Sequence, residues 1–220
     1  MFRNEIKFLF KNENSLSVNY IDFYFKKKKI VKFYNYNLVC NIYYDTAYFN
    51  CYFSHVDGNI SRYKVRVRWY SKSNFLNNEF ILEIKHKINK KNNKYKIKLP
   101  VKKVKDLINL DINYYVKKLN NIYSFEKNYF KFKPVLLNQY FRRYFYKDKK
   151  ENRITLDTNI RFSKYSYFEN NFLSSSKISV IENKFLEEKN LPIKFDDKLI
   201  ILQENFSKYL YGCEKLNLIR

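Results

Sequence analysis

Residues 62–70 read RYKVRVRWY, and charged and apolar side chains alternate along the whole stretch. Successive side chains of a β-strand point to opposite faces, so this pattern predicts a strand with one cationic and one apolar face. The cationic face carries Arg62, Lys64, Arg66 and Arg68, and the apolar face carries Tyr63, Val65, Val67 and Trp69. Neighbouring cations on a sheet repel each other unless an anion lies among them. The stretch therefore indicates an anion-binding strand, although a charged face turned to solvent would show the same alternation.

Similar alternation recurs along the chain and predicts the fold class. Eight strands are expected, at residues 4–10, 38–45, 62–70, 79–87, 95–99, 136–146, 153–162 and 177–185. Helices are expected at residues 17–29, 102–120 and 193–204. Asp57-Gly58 and the polar residues 89–93 are expected to form turns. The pattern predicts an α+β fold in which eight antiparallel strands close into a barrel with helices packed outside. No linker is evident, so residues 1–220 are expected to form a single domain.

The charge of the chain favours an acidic partner such as nucleic acid, a membrane surface or polyphosphate. The 220 residues include 44 Lys and Arg against 21 Asp and Glu, a formal net charge of +23. Base composition of the gene can also enrich lysine, but arginine is scarce here and concentrates in three strand-like segments. Arginine grips phosphate with a planar fork that lysine lacks, so its local retention points to phosphate.

Several other classes of protein are disfavoured. Three cysteines and two histidines form no zinc motif, and the odd cysteine count is typical of a reduced compartment. No apolar run approaches the length of a membrane span, so a cytoplasmic protein is expected. Two glycines cannot build a Walker A or dinucleotide-binding loop, and no nucleophile elbow is present.

Eight short motifs resemble, in order, those of the vacuolar transporter chaperone (VTC) domain, a branch of the CYTH-like triphosphate tunnel superfamily. They are Arg3-Asn4-Glu5-Ile6-Lys7-Phe8, Ile42-Tyr43-Tyr44-Asp45-Thr46, Asp57-Gly58 with residues 62–70, Phe80-Ile81-Leu82-Glu83-Ile84-Lys85, Tyr140-Phe141-Arg142-Arg143, Arg153-Ile154-Thr155-Leu156-Asp157-Thr158, Glu182-Asn183-Lys184-Phe185 and Phe206-Ser207-Lys208-Tyr209. The resemblance covers nearly the whole chain. Arg3 stands where the broader superfamily has a first glutamate, and this departure fits the polymerase branch, with the chain resembling stand-alone bacterial members.

The resemblance implies a β-barrel tunnel that binds ATP and polyphosphate and transfers phosphoryl groups. The phosphate-binding catalytic side chains that it implies are Lys7, Arg66, Arg68, Lys85, Arg142, Arg153 and Lys208. Tyr140, Ser207 and Lys184 are implied as further substrate contacts. Glu182 is implied as the ligand of Mn²⁺ or Mg²⁺, a role that suits a carboxylate among phosphates. We expect Arg66, Arg68, Arg142 and Arg153 to converge on one lumen, opposite the apolar Val65, Val67, Ile154 and Leu156.

The activity implied by the resemblance is ATP-dependent synthesis of polyphosphate, with no nucleic-acid partner. A triphosphatase or polyphosphatase that uses the same tunnel with water as acceptor is the first alternative. A non-catalytic module that binds polyphosphate or nucleic acid is the second. Asp157 and Glu5 are expected to be internal salt-bridge partners, and Asp45 is expected to lie at a strand end and turn with no chemical role. Pairing of Lys85 with a carboxylate such as Glu83 is the alternative to its phosphate-binding role.

Overall fold

The computed structural model describes residues 4–11, 16–71, 79–89, 91–124, 131–147, 152–165, 174–185, 200–202 and 206–219. Within these ranges the chain has the predicted α+β class, with antiparallel strands. The strands are β1 (Asn4–Lys11), β2 (Val31–Asp45), β3 (Ser61–Ser71), β4 (Ile81–Ile88), β5 (Lys91–Lys98), β6 (Lys133–Lys147), β7 (Asn152–Lys164), β8 (Ser174–Ser175), β9 (Ile178–Phe185) and β10 (Ile200–Leu202). The helices are α1 (Leu16–Lys27), α2 (Asn50–Val56), α3 (Ile112–Tyr123) and α4 (Lys208–Lys215), with a 3-10 turn at Val104–Leu107.

The chain divides into two compact units. The first consists of Met1–Leu38, Gln139–Arg161 and Ser175–Ser207, and the second of Val39–Asn138, Phe162–Ser174 and Lys208–Arg220. Strands in the first unit follow the order β10-β1-β9-β7-β6-β2, and those in the second follow β2-β3-β4-β5. The first order ends on the edge strand β10 and the second on the edge strand β5. Among the described strands, neither unit therefore forms the closed barrel that was predicted. The single-domain prediction for residues 1–220 stays a prediction.

An apolar core in the first unit lies between α1 and one face of the sheet. Ile21, Tyr24 and Phe25 of α1 are buried together with side chains from four strands. The strand residues are Phe8, Phe10, Phe145, Ile154, Leu156 and Ile181. Fully burying one aliphatic or aromatic side chain contributes about 1.5–3 kcal/mol, so this layer is a main source of stability. The burial of Ile154 and Leu156 is as predicted.

The second unit buries the apolar face of β3 and β4. Val65, Val67 and Trp69 are buried, and Trp69 packs on Phe80 with ring centroids 5.3 Å apart. Tyr123 of α3 packs on Tyr95 of β5 at 4.9 Å, so a helix lies beside this sheet. The alternation along residues 62–70 thus predicted correctly that these apolar side chains are buried.

The helix predictions were partly wrong. The helix predicted at residues 17–29 overlaps α1, but residues 102–120 hold the 3-10 turn and most of the separate helix α3. Ile200–Leu202, within the predicted helix 193–204, form β10 and pair with β1, where an edge strand offers free hydrogen-bonding groups. The remainder of that segment lies outside the described residues. Helices α2 and α4 were not predicted, and among the described helices none has the length and apolar character needed to cross a bilayer.

One predicted turn is present, and the predicted loop at residues 89–93 is wrong in part, because residues 91–93 belong to β5. Gly58 has φ of 69°, a left-handed conformation that glycine adopts without steric cost, and it leads from α2 towards β3. The hairpin between β4 and β5 is tighter than the predicted polar loop, because Ile88 already pairs with Lys91.

Candidate functional site

In the second unit, cations from three neighbouring strands share one sheet face. The register places Lys64 beside Lys85 and Lys85 beside Lys94, while Glu83 lies between Arg66 and Lys96. The members of this face, here called the basic face, are Arg62, Lys64, Arg66, Arg68, Glu83, Lys85, Lys87, Lys94, Lys96 and Lys98. Among the described residues of β3, β4 and β5 it carries one carboxylate, so the face retains a strong positive charge.

Glu83 is the centre of this face. Arg66 donates from Nε and Nη2 to Glu83 Oε2 at 2.8 and 2.6 Å, and Lys94 Nζ lies 2.7 Å from Oε1. Lys96 Nζ and Arg68 Nη1 lie 3.6 and 3.9 Å from the same carboxylate. Burial by itself would raise the pKa of Glu83, but Arg66 and Arg68 hold that pKa well below its usual range. Glu83 is therefore a permanent anion.

Arg68 is held by amides. Its Nε donates to Asn41 Oδ1 at 2.8 Å, and Asn41 Nδ2 donates to Asn138 Oδ1 at 3.3 Å. All three residues are buried. Amide dipoles orient the guanidinium of Arg68 without neutralising its charge.

Lys94 loses its proton more readily than an ordinary lysine. Burial, helped by the nearby charges of Arg66 and Lys96, lowers the pKa of Lys94 to about 8, although the ion pair with Glu83 opposes this shift. The charge of the basic face therefore depends on pH in the mildly alkaline range.

The first unit has its own charged face, on the side of the sheet opposite the α1 core. Across β1, β9 and β7 the register aligns Glu5 with Lys184 and Arg153 in one row. In the next row it aligns Lys7, Glu182 and Thr155. Lys184 Nζ lies 2.7 Å from Glu182 and 3.4 Å from Glu5, and Lys7 Nζ lies 3.1 Å from Glu5. Burial would lower the pKa of Lys184, but Glu182 and Glu5 raise it above its ordinary value.

Arg142 of β6 is fixed by a buried carboxylate on this face. Its Nε and Nη2 donate to Asp157 Oδ1 and Oδ2 at 2.6 and 2.7 Å, and Asp157 is completely buried. Burial would lower the pKa of Arg142, but Asp157 raises it well above its ordinary value. Tyr140 is buried beside it, with the guanidinium carbon 5.3 Å from the ring centroid. The expected structural role of Asp157 is thus consistent with its contacts.

Glu182 and its neighbour Thr155 fit a divalent cation. Thr155 Oγ1 is buried and has no hydrogen-bond partner among the described residues, and Thr155 pairs directly with Glu182 across the strands. Both supply hard oxygen atoms, which Mg²⁺ and Mn²⁺ prefer. Within the described chain no three His, Cys, Asp or Glu side chains group as a metal site. Phosphate oxygens and water would therefore have to complete the coordination.

The remaining predicted residues lie near the end of the chain. Lys208 is the first residue of α4 in the second unit, and Ser207 precedes it. The carbonyl of Phe206 accepts a hydrogen bond from Lys7 Nζ at 3.0 Å. Lys7, Arg142, Arg153, Lys184, Tyr140, Glu182 and Ser207 thus belong to the first unit, and Arg66, Arg68, Lys85 and Lys208 belong to the second. Convergence of the four arginines on one lumen stays a prediction.

Sequence reasoning overlooked several members of these faces. Lys94 and Lys96 alternate with Tyr95 and Ile97, a strand signal that was available but not used for the site. Asn41 and Thr155 carried no such signal, because their roles depend on pairing between strands. Arg143, in contrast, lies on the opposite face of β6 from Arg142 and binds Asp22 of α1 at 2.5 and 2.6 Å.

Two solved structures are similar over most of the chain. One is a protein from Hippeastrum described as an adenylyl cyclase candidate with a dominant triphosphatase activity, with 10% identity and a TM-score of 0.49 over 86% of this chain and 81% of the other. The second is described as an adenylate cyclase candidate from Vibrio parahaemolyticus, with 12% identity and a TM-score of 0.43 over 90% of this chain and 79% of the other. No curated protein matches. The family model of the VTC domain matches residues 2–217, and the chain therefore belongs to the VTC domain family.

Proposed function

We propose that this chain is an ATP-dependent polyphosphate polymerase, which transfers the γ-phosphate of ATP to the end of a growing phosphate chain. Membership of the VTC domain family supports a protein that acts on triphosphate-type substrates. The finer assignment rests on the basic face, whose cations extend along the strands beyond the reach of one triphosphate.

The length of the basic face is the observation that carries the proposal. Arg62, Lys64, Arg66 and Arg68 occupy one side of β3. At about 3.3 Å per residue the six-residue interval spans roughly 20 Å. Each of the first three positions has a cross-strand partner on β4, and the partners are Lys87, Lys85 and Glu83. Repeated cations at strand spacing suit a ligand that repeats its negative charge, such as a phosphate chain.

The chemistry asked of the protein is positioning and charge stabilisation. A terminal oxygen of the chain attacks the γ-phosphorus, a new P–O bond forms, and the bond from the γ-phosphorus to the bridging oxygen breaks to release ADP. In the second unit Arg66, Arg68, Lys85 and Lys208 would bind phosphate oxygens. In the first unit Arg142, Arg153, Lys7 and Lys184 would do the same. Tyr140 and Ser207 would add neutral hydrogen bonds.

Glu182, with Thr155 beside it, would hold Mn²⁺ or Mg²⁺. The ion would neutralise phosphate oxygens as charge builds on the leaving group. Lys184 and Arg142 lie 2.7 and 4.0 Å from Glu182, so they hold the carboxylate in place.

A triphosphatase or polyphosphatase is the second candidate, and the carboxylates of the first unit favour it. Glu5 and Glu182 lie on the same face and both contact Lys184, so a second carboxylate is near the proposed ion. Such a site could orient an attacking water. Asp157 is not available for this purpose, because both of its oxygens bind Arg142.

The test is the identity of the product. The purified protein is incubated with ATP labelled at the γ-phosphate and with Mn²⁺, and chains, ADP and free phosphate are resolved together. We expect label in chains longer than ATP, in step with ADP. Label found only in free phosphate would establish the hydrolase instead. Binding of polyphosphate without turnover would identify a non-catalytic module. When a cation of the basic face is replaced by Ala in this assay, Lys117→Ala, on the exposed surface of α3, is the matched control.

A further inference from the structure

The motif at residues 43–46 contributes a buried carboxylate that the proposed chemistry does not use. Asp45, at the end of β2, is completely buried. Its Oδ1 accepts hydrogen bonds from the backbone N–H groups of Thr46 and Cys51 at 2.7 and 2.9 Å, and its Oδ2 accepts from that of Tyr52 at 2.9 Å. Asp45 therefore fixes the first turn of α2, which offers these N–H groups.

The fourth hydrogen bond to Asp45 comes from α4. The hydroxyl of Tyr209 donates to Asp45 Oδ2 at 2.5 Å, and Tyr209 is buried. Burial, together with the nearby Cys213 and Asp45, raises the pKa of Tyr209, so the phenol stays protonated and remains a donor. The Tyr209 ring also stacks on Tyr43, with centroids 5.1 Å apart. A short aromatic and polar contact thus ties α4 to the end of β2.

This contact lies one residue from a predicted phosphate ligand. Lys208 is the first residue of α4, and Tyr209 is the second. A lysine side chain is flexible, so the position of its backbone sets the region that its ammonium group can reach. Tyr52 fastens the other end of the helix, because its hydroxyl donates to Glu214 at 3.2 Å.

We propose that Asp45 is a positioning residue which, through its hydrogen bond to Tyr209, holds the start of α4 where Lys208 can bind a phosphate of the substrate. This inference rests on the proposed function, since it assumes that Lys208 contacts a phosphate. It gives the motif at residues 43–46 a role in the site, where the sequence indicated only a strand end.

The test is a double-mutant cycle between Tyr209 and Lys208. Tyr209→Phe removes one hydroxyl and keeps the ring, and it should lower kcat/KM roughly tenfold, the size of one hydrogen bond. In a Lys208→Ala background the same change should alter kcat/KM by less than about twofold. If the two residues acted independently, their effects would add and the tenfold loss would persist in this background. Tyr211→Phe, on the same helix, is the control, and it should leave kcat/KM unchanged in either background.

Binding provides a readout that does not depend on turnover. The affinity for inorganic tripolyphosphate, measured by calorimetry, should fall in Lys208→Ala, and Tyr209→Phe should weaken it only while Lys208 is present. Equal effects of Tyr209→Phe in both backgrounds would overturn the positioning role and leave the proposed function standing. Failure of the unaltered protein to bind or process any phosphate chain would overturn the proposed function, and the positioning role with it.

A second measurement uses the unaltered chain, in case Tyr209→Phe does not fold. Tripolyphosphate should increase the protection of the α4 amides, residues 208–215, against hydrogen exchange, together with the Cys51 and Tyr52 amides that bind Asp45. No change in either group on saturation with tripolyphosphate would contradict the coupling.

Discussion

Arg66 donates two hydrogen bonds to a single oxygen of Glu83, from Nε at 2.8 Å and from Nη2 at 2.6 Å. The other oxygen of this carboxylate binds Lys94 at 2.7 Å, and Arg68 and Lys96 lie within 4 Å. One anion therefore holds together cations that would otherwise repel each other. The side chain of Glu83 is only 4% exposed, so this pairing is weakly screened by solvent.

Glu83→Gln should destabilise the fold and make stability depend on added anion. Removing one partner of a buried ion pair costs about 3–5 kcal/mol, because the remaining charge is left uncompensated. Inorganic tripolyphosphate should restore part of this loss, since a ligand that binds only the folded state stabilises it. Thermal unfolding with and without tripolyphosphate measures both effects.

Glu79→Gln is the matched control for that variant. Glu79 pairs with Lys98 but is 65% exposed, so its loss should change the free energy of unfolding by less than about 1 kcal/mol. Equal destabilisation by the two variants would mean that Glu83 has no special place on the basic face.

Phosphate-chain affinity should fall as the pH rises through about 8. The pKa of Lys94 is lowered to about 8 in the folded protein, chiefly by burial, so its ammonium loses a proton in this range. A terminal phosphate has its second pKa near 6 and is already fully charged there, so the change reports the protein. Affinity for tripolyphosphate from pH 6.5 to 9.5 is the measurement, and Lys94→Arg should remove the step because arginine stays charged.

The lowered pKa of Lys94 should make stability rise with pH, in the opposite direction to affinity. The pKa of Lys94 is lower when folded than when unfolded, so between about 8 and its usual value the unfolded chain binds more protons. The contribution of this group to the free energy of unfolding should therefore rise with pH while affinity falls. A pH step that persists unchanged in Lys94→Arg would assign the titration to another group.

Glu182→Gln should leave the fold intact and abolish turnover that depends on Mn²⁺ or Mg²⁺. Glutamine preserves the shape of the side chain but is a poor ligand for a hard cation. Thr155→Val, which removes the buried hydroxyl beside Glu182, should weaken metal dependence to a smaller degree. Titration of turnover with Mn²⁺ measures the effect, with Glu5→Gln as the control that also removes a Lys184 partner. Full activity of Glu182→Gln at saturating metal would show that a different carboxylate holds the ion.

The strands were predictable because alternation is a local property, and the buried Val65, Val67, Ile154 and Leu156 agree with it. Helices α2 and α4 could not be predicted in this way, because they depend on tertiary contacts. The α2 sequence NCYFSHV has no acidic residue in its first turn, and its N–H groups are satisfied by Asp45, six and seven residues before Cys51 and Tyr52. Similarly, Ile200–Leu202 are apolar enough for a helix and become a strand only because β1 presents an edge.

The candidate site shows the same division between local and distant information. The family motifs pointed to Arg66, Arg142 and Glu182 as candidates, since each lies in a short recognisable strand. Their fixing partners depend on register, which no single strand specifies. Glu83 meets Arg66 and Lys96 only because β3, β4 and β5 pair in this way, and Thr155 meets Glu182 only through the pairing of β7 with β9.

Arg66 provides the sharpest test of phosphoryl transfer. Its guanidinium is partly exposed on the basic face, where it can bind a phosphate beside its contact with Glu83. Arg66→Ala should lower kcat by about 10² to 10³, or roughly 2–4 kcal/mol, the usual effect of losing one preorganised charge contact in a transition state. Arg66→Lys should recover only part of this, because a lysine lacks the planar fork that holds carboxylate and phosphate together.

The two Arg66 variants also separate catalysis from binding. If Arg66 stabilises the transition state, kcat and kcat/KM should fall together in Arg66→Ala; a rise in KM at constant kcat would reduce it to a uniform binding contact. Because Glu83 loses its closest arginine in this variant, melting temperature is recorded alongside, and rates are compared well below the transition. An equally lowered kcat in the Ala and Lys variants would show that Arg66 acts through its planar fork and not through charge alone. An unchanged kcat in both variants would show that the basic face acts through its other cations.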